Sequence, residues 1–130
     1  MSLNREIITS GKAPAAVGPY SQAVRVGDLI YTAGQIPLVP ETGKIVDGDI
    51  EAQTRQVLQN LSHVLDSAGS SLTHIVKTTI FVTNLADFST INTVYGEFVT
   101  ADPPARSTVQ VAALPLGAQI EIEAVAVRKP

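Results

Sequence analysis

Residues Ile120–Val127 read IEIEAVAV. In an extended chain alternate side chains point to opposite faces. One face of this segment is therefore Ile120, Ile122, Ala124 and Ala126, and the other is Glu121, Glu123, Val125 and Val127. The first face is wholly apolar and suits a core. The second begins with two carboxylates and ends with two valines. A surface meant for water should not finish in valines, and a core surface should not start with glutamates. What the second face looks at decides the fold.

Working outward, Arg106–Val111 divides in the same way, with Arg106, Thr108 and Gln110 on one side and Ser107, Val109 and Val111 on the other. AALPLGA joins the two segments. Upstream, Ile75–Val82 (IVKTTIFV) is rich in β-branched residues and reads as a strand. Tyr20–Val26 and Leu29–Gln35 read as two strands around the turn pair Gly27-Asp28. PLVPETGK after them reads as a loop. Then the period changes: Ile50, Thr54, Val57, Leu58, Leu61, Val64, Leu65 and Ala68 form one helical stripe, with Asp49 as N-cap and Gly69 at the C-terminus. A second helix is expected from Phe88 to Val99, capped by Asp87 and with Phe88, Ile91, Tyr95 and Phe98 inward. Gly96 costs that helix about 1 kcal/mol relative to alanine.

The resulting order is β-β-α-β-α-β-β, an α+β layered fold in a single domain spanning 1–130. Two helices can cover only one face of such a sheet. The Ile-Ile-Ala-Ala face belongs beneath them, which leaves Glu-Glu-Val-Val uncovered within the chain. Composition supports the same conclusion. Charged residues are only 16% of the chain, against about 25% in an average domain. A surface short of charge suggests packing against another subunit, and such an interface could hold a polar cavity.

The net charge of −3 and the absence of a basic cluster argue against nucleic acid as a partner. There is no cysteine, so disulfides, thiolate nucleophiles and cysteine-ligated metals are excluded. No apolar run approaches the ~20 residues that span a bilayer, and no membrane partner is expected. MSLNREIITSGKAP lacks the apolar core of a secretory signal. The expected location is cytoplasmic, with the mitochondrial matrix as the alternative, since a trimmed targeting peptide would leave the same start. His63 falls opposite the apolar stripe and His74 at a strand entrance, with no metal-ligand spacing between them.

Four positions could carry chemistry. Arg106 follows the stiff Asp102-Pro103-Pro104 segment; its planar fork suits a carboxylate, or it is a surface arginine in a salt bridge. Glu121 is either a general acid/base or an exposed, ion-paired carboxylate. Asn92 reads a ligand or caps a backbone group. Tyr20, after Gly18-Pro19, stacks on a small planar ligand or simply packs. Gly34, in AGQIP, lets a backbone approach something closely.

The strings APAAVGPYSQAV, AGQIPLVPETG, IVKTTIFV, PPARSTVQVAALPLG and IEIEAVAV resemble, in order and spacing, the RidA (reactive intermediate deaminase, also YjgF) family from about Ala13 to Arg128. The resemblance implies a chorismate-mutase-like fold assembled as a homotrimer, with a central barrel of sheets, helices outside and sites in clefts between subunits. It implies a cofactor-free deaminase that hydrolyses enamine and imine acids such as 2-aminoacrylate and 2-iminobutanoate, released by pyridoxal-phosphate dehydratases, to 2-keto acids and ammonia. By motif position the family's carboxylate-binding arginine falls on Arg106, its catalytic glutamate on Glu121, and its site tyrosine, glycine and asparagine on Tyr20, Gly34 and Asn92. Two positions depart from the pattern. Ser107, counted with the substrate-binding positions, replaces the cysteine of many relatives, and Ala33 replaces a serine. The rival reading is a non-catalytic module that binds 2-keto acids, or a chaperone-like one. A ribonuclease role is disfavoured by the negative charge.

Overall fold

The computed structural model describes residues 4–130. The helical stripe becomes α1, Ile50–Ser67. Asp49 caps it, its Oδ1 accepting from the Ala52 N–H at 3.2 Å, a contact worth about 1 kcal/mol. Gly69 ends it with φ +79, as a C-terminal glycine should. Val57, Leu58, Leu61, Val64 and Leu65 are essentially solvent-free.

Below α1 lies a six-stranded sheet in the order β1-β2-β3-β8-β6-β7. The strands are β1 (Arg5–Ile8), β2 (Ala23–Val26), β3 (Leu29–Thr32), β6 (Ile75–Val82), β7 (Ala105–Gln110) and β8 (Ile120–Val127). A small separate hairpin joins β4 (Leu38–Val39) and β5 (Lys44–Ile45). All pairings in the large sheet are antiparallel except β6 with β7. Those two run parallel because α2 (Phe88–Phe98) returns the chain between them.

The opening segment behaves as its alternation predicts. Ile120, Ile122, Ala124 and Ala126 are buried, while Glu121, Val125 and Val127 are partly exposed and Glu123 is exposed. The two helices pack on the same side: α1 lies on β8, β3 and α2, and the Tyr95 hydroxyl of α2 meets Thr78 Oγ1 of β6 at 2.8 Å. On the other side the register aligns Val125 with Tyr31 and Val127 with Leu29. Tyr31 is 48% exposed and Leu29 40%. The second face thus continues across the sheet as an apolar surface that nothing in the described residues covers, the kind of surface that marks an interface.

Several expectations need correction. β1 and the β4–β5 hairpin were not expected. β2 begins at Ala23 rather than Tyr20, because Gln22 is recruited elsewhere: its buried amide accepts from Ser10 N at 2.6 Å and donates to Pro14 O at 2.7 Å. β3 stops at Thr32 rather than reaching Gln35. Asp87 does not cap α2 through its side chain, because its φ −80, ψ −1 is already helical whereas a capping residue is extended. Asn84, which begins the turn before it, accepts from Ala86 N instead. Phe88 is 40% exposed rather than inward, and Val94 takes a core place beside Ile91 and Tyr95. His63, opposite the stripe and so expected in solvent, is partly buried. Among the described residues no helix is long and apolar enough to cross a membrane.

Candidate active site

The early end of β3 builds the first part of the site. Tyr31 pairs with Val125, and the next contact between these segments is an isolated bridge from Gln35 to Ile122. Four steps along one chain thus match three along the other, as in a β-bulge. The extra length displaces Ala33 and Gly34, and Ala33 N bonds to Gln22 O at 2.9 Å. Glu121, beside Ile122, points its carboxyl into the space so made.

Gly34 is required there for a measurable reason. A Cβ on Gly34 would lie 2.6 Å from Glu121 Cδ and 2.9 Å from Cγ. Gly34 is not among the glycines with positive φ. Its missing side chain therefore serves to let the Glu121 carboxyl pass over the backbone, rather than to permit an unusual turn.

Glu121 and Gly34 open into a cleft of about 520 Å³. Tyr20 stands in its wall, with Val17, Ile36 and Leu116 making much of the remainder apolar. Leu116 takes a left-handed backbone conformation, φ 58, and is 71% exposed at this wall. The half-buried Glu121 carboxyl is pushed above the ordinary glutamate range, first by loss of hydration and then by the charge of Glu123 two residues on. Its side chain has no hydrogen-bond or ion-pair partner among the described residues. A carboxylate so placed holds a proton more readily than an ordinary glutamate, which suits it to both accepting and donating one.

Arg106 forms a second cluster elsewhere. It sits opposite Thr78 on β6, which in turn sits opposite Ala124 on β8. Arg106 therefore projects from the helix-covered face, as the buried Thr78 and Ala124 do. Its guanidinium carbon lies 5.0 Å from the Tyr95 ring centre and 5.5 Å from that of Phe88. The ion pairs among the described residues involve Arg25, Arg55 and Arg128, not Arg106. The surface-salt-bridge reading of Arg106 thus finds no support. Asn92 lies between Phe88 and Tyr95 at four- and three-residue spacings, hence on the same helix face. Its Oδ1 is buried without a partner, a condition that costs about 1–3 kcal/mol unless a donor arrives.

Glu121 is opposite Phe81 on β6, and Phe81 opposite Val109 on β7. That row belongs to the uncovered face. Arg106 and Glu121 consequently leave the sheet in opposite directions. The structure brings Tyr20, Gly34 and Glu121 together in one cleft, and sets Arg106 elsewhere, against two rings of the helix face that also carries Asn92. Ser107 joins neither: it lies on the uncovered face, where Lys77 Nζ donates to its Oγ at 3.0 Å. Phe88, Tyr95 and Thr78 were not expected at Arg106; the F-x-x-x-N-x-x-Y spacing before the strand is a signal for the two rings, whereas Thr78 is placed only by the β6–β7 register. Among the described residues no group of three or more His, Asp or Glu is arranged to hold a metal ion.

Comparison with known proteins identifies the family and the fold. The family model described as Endoribonuclease L-PSP matches residues 10–128. Human 2-iminobutanoate/2-iminopropanoate deaminase is 46% identical over 129 residues, 99% of this chain and 94% of that protein. Reactive Intermediate Deaminase A, chloroplastic, from Arabidopsis thaliana is 50% identical over 125 residues, 96% of this chain and 67% of that protein. The crystal structure of E. coli TdcF with bound serine superposes with a TM-score of 0.91 at 46% identity, covering 95% of this chain and 99% of TdcF. The chain belongs to the Endoribonuclease L-PSP family, and within it to the RidA (YjgF) proteins that its motifs resemble.

Proposed function

We propose that the protein is a 2-imino acid deaminase whose active site is completed between neighbouring subunits of a homotrimer. Arg106 of one subunit anchors the substrate carboxylate, and Tyr20, Gly34 and Glu121 of the next receive the reacting carbon. The observation that carries this reading is the divergence of Arg106 and Glu121 from opposite faces of one sheet. A cation that meets no acid and a carboxylate that meets no base among the described residues, leaving one sheet in opposite directions, fit a site shared between chains. The apolar uncovered face and the free edge of β7 supply the surface for such an assembly. The names of the human and plant relatives support the reaction class, and the serine held by TdcF supports a ligand with a carboxylate and an amino nitrogen.

In this reaction the enamine first tautomerises to the imine. Arg106 receives the carboxylate on its paired N–H groups and fixes where the C=N carbon sits. Glu121 takes a proton from water as the oxygen attacks that carbon, giving a tetrahedral carbinolamine. Returning that proton to nitrogen completes the carbinolamine; Glu121 then takes the hydroxyl proton as the C=O bond forms and the C–N bond breaks, and passes it to the departing nitrogen, so ammonia leaves with the 2-keto acid behind. Water supplies the oxygen, both of its protons leave on ammonia, and Glu121 ends as it began, so the cycle closes without a cofactor. The raised affinity of Glu121 for protons serves both steps, since a group that titrates nearer neutrality is both a usable base and a usable acid.

The test supplies 2-iminobutanoate from threonine with a pyridoxal-phosphate dehydratase and follows keto-acid release. The protein should accelerate hydrolysis well above the spontaneous rate. Release that is unchanged by added protein would remove the deaminase assignment.

A further inference from the structure

We infer that Tyr95 is a positioning residue for Arg106, with its ring held in place by Thr78. The inference rests on the reading of Arg106 as carboxylate anchor and adds how that anchor is aimed. An arginine on an edge strand has a long stem and many rotamers, and ordering it costs entropy. Proteins commonly fix such a side chain with an acidic partner. None serves Arg106 among the described residues.

Two aromatic rings take that role. Tyr95 lies 5.0 Å from the guanidinium carbon and Phe88 5.5 Å, both within the range of a cation–π contact. The chemical difference from an ion pair is direct. A carboxylate partner would occupy N–H donors of the fork, whereas a ring faces the guanidinium and leaves its N–H groups free in the plane. An arginine meant to greet a substrate carboxylate is better held by rings than by an acid.

The two rings are not equivalent. Phe88 is 40% exposed, at the start of α2, and its ring carries no hydrogen-bonding group. Tyr95 is 6% exposed, and its hydroxyl shares a buried 2.8 Å hydrogen bond with Thr78 Oγ1. Thr78 stands directly opposite Arg106 in the β6–β7 register. The ring and the strand that carries the guanidinium are thereby fixed to the same rung of the sheet. Aim is transmitted from backbone pairing through Thr78 and Tyr95 to Arg106.

A kinetic cycle tests this with the intact protein and 2-iminobutanoate generated by a dehydratase. Tyr95→Leu, which removes the ring, should raise KM about 10-fold, the size of a partly desolvated cation–π contact, and leave kcat within about twofold. Tyr95→Phe and Thr78→Val each break the same hydrogen bond, so each should raise KM by only about two- to threefold, and combining them should add nothing. In an Arg106→Ala background kcat/KM should no longer respond to Tyr95→Leu. If Tyr95→Leu does not fold, the Tyr95→Phe and Thr78→Val pair decides the matter. Wild-type KM in these variants, or an equal Tyr95 effect with and without Arg106, overturns the inference while leaving the anchor reading intact. An Arg106→Ala protein with wild-type kcat/KM overturns both.

Discussion

A methyl group on Gly34 offers a sharp test of how Glu121 is held. In Gly34→Ala the new carbon would stand 2.6 Å from Glu121 Cδ, whereas carbons rest about 3.5–4.0 Å apart. The carboxyl must therefore retreat by about 1 Å. It can do so, because it is the end of a half-buried side chain beside an open cleft, and the alanine itself meets no positive-φ strain. The fold should survive with a loss of about 1 kcal/mol or less. Turnover should not, since a 1 Å misplacement of a reacting group costs on the order of 10²-fold in rate. Steady-state assays with 2-iminobutanoate, alongside thermal melts, measure both. Because the loss acts through Glu121, the Gly34→Ala/Glu121→Gln double variant should be no slower than Glu121→Gln alone. A Gly34→Ala protein with wild-type kcat, or a double variant in which the two losses multiply, would refute the reasoning.

Other expectations follow from the same geometry. Glu121→Gln keeps shape but cannot carry a proton, so kcat should fall by roughly 10²–10⁴-fold while calorimetry still detects 2-oxobutanoate; Glu123→Gln, at a residue that does not line the cleft, should cost little rate. The pH dependence has a definite sign. The base must be ionised, burial and Glu123 raise its pKa, and activity should therefore fall on acidification sooner than an ordinary glutamate would dictate. Glu123→Gln removes the second cause, so the acidic limb should move to lower pH; no movement would show that Glu123 is not felt at Glu121. In stability the same shift works the other way: above its raised pKa the ionised Glu121 destabilises the fold, so Glu121→Gln should melt at a higher temperature than wild type at neutral pH and lose that advantage in acid. Arg106→Lys preserves charge but not the planar fork, and should lose most kcat/KM with an unchanged melting temperature; near-normal rates would show that the fork is not the anchor.

Much of this was legible because periodicity and capping agree locally. The α1 stripe, with Asp49 before it and Gly69 after, leaves little freedom, and the alternation in Ile120–Val127 gave the right buried face. β1 escaped because Arg5-Glu6-Ile7-Ile8 begins with two charges and has too few residues to alternate; it exists because β2 offers it a ladder. The β4–β5 hairpin uses two residues per strand inside a proline-bounded loop, below the length at which a pattern can be seen. Alternation also split Arg106 from Ser107 correctly. It could not say on which side of the sheet each would fall relative to Glu121, since that depends on the pairing of Arg106 with Thr78 and of Thr78 with Ala124, partners far apart in the chain. Phe88 was misplaced for a related reason. Helical spacing puts it with Ile91 and Tyr95, but α2 reaches the sheet's edge there, and the ring overhangs Arg106 instead of entering the core.

The shared site is tested most directly by mixing two inactive proteins. Arg106→Ala and Glu121→Gln subunits are co-refolded in equal amounts, with wild type carried through the same steps, and deaminase activity is measured. In a ring whose sites each take Arg106 from one subunit and Glu121 from its neighbour, random mixing leaves about a quarter of the sites with both groups intact, so about a quarter of wild-type activity should return. If both groups had to come from one chain, no mixed assembly would contain a working site, and the mixture would stay as inactive as its parts.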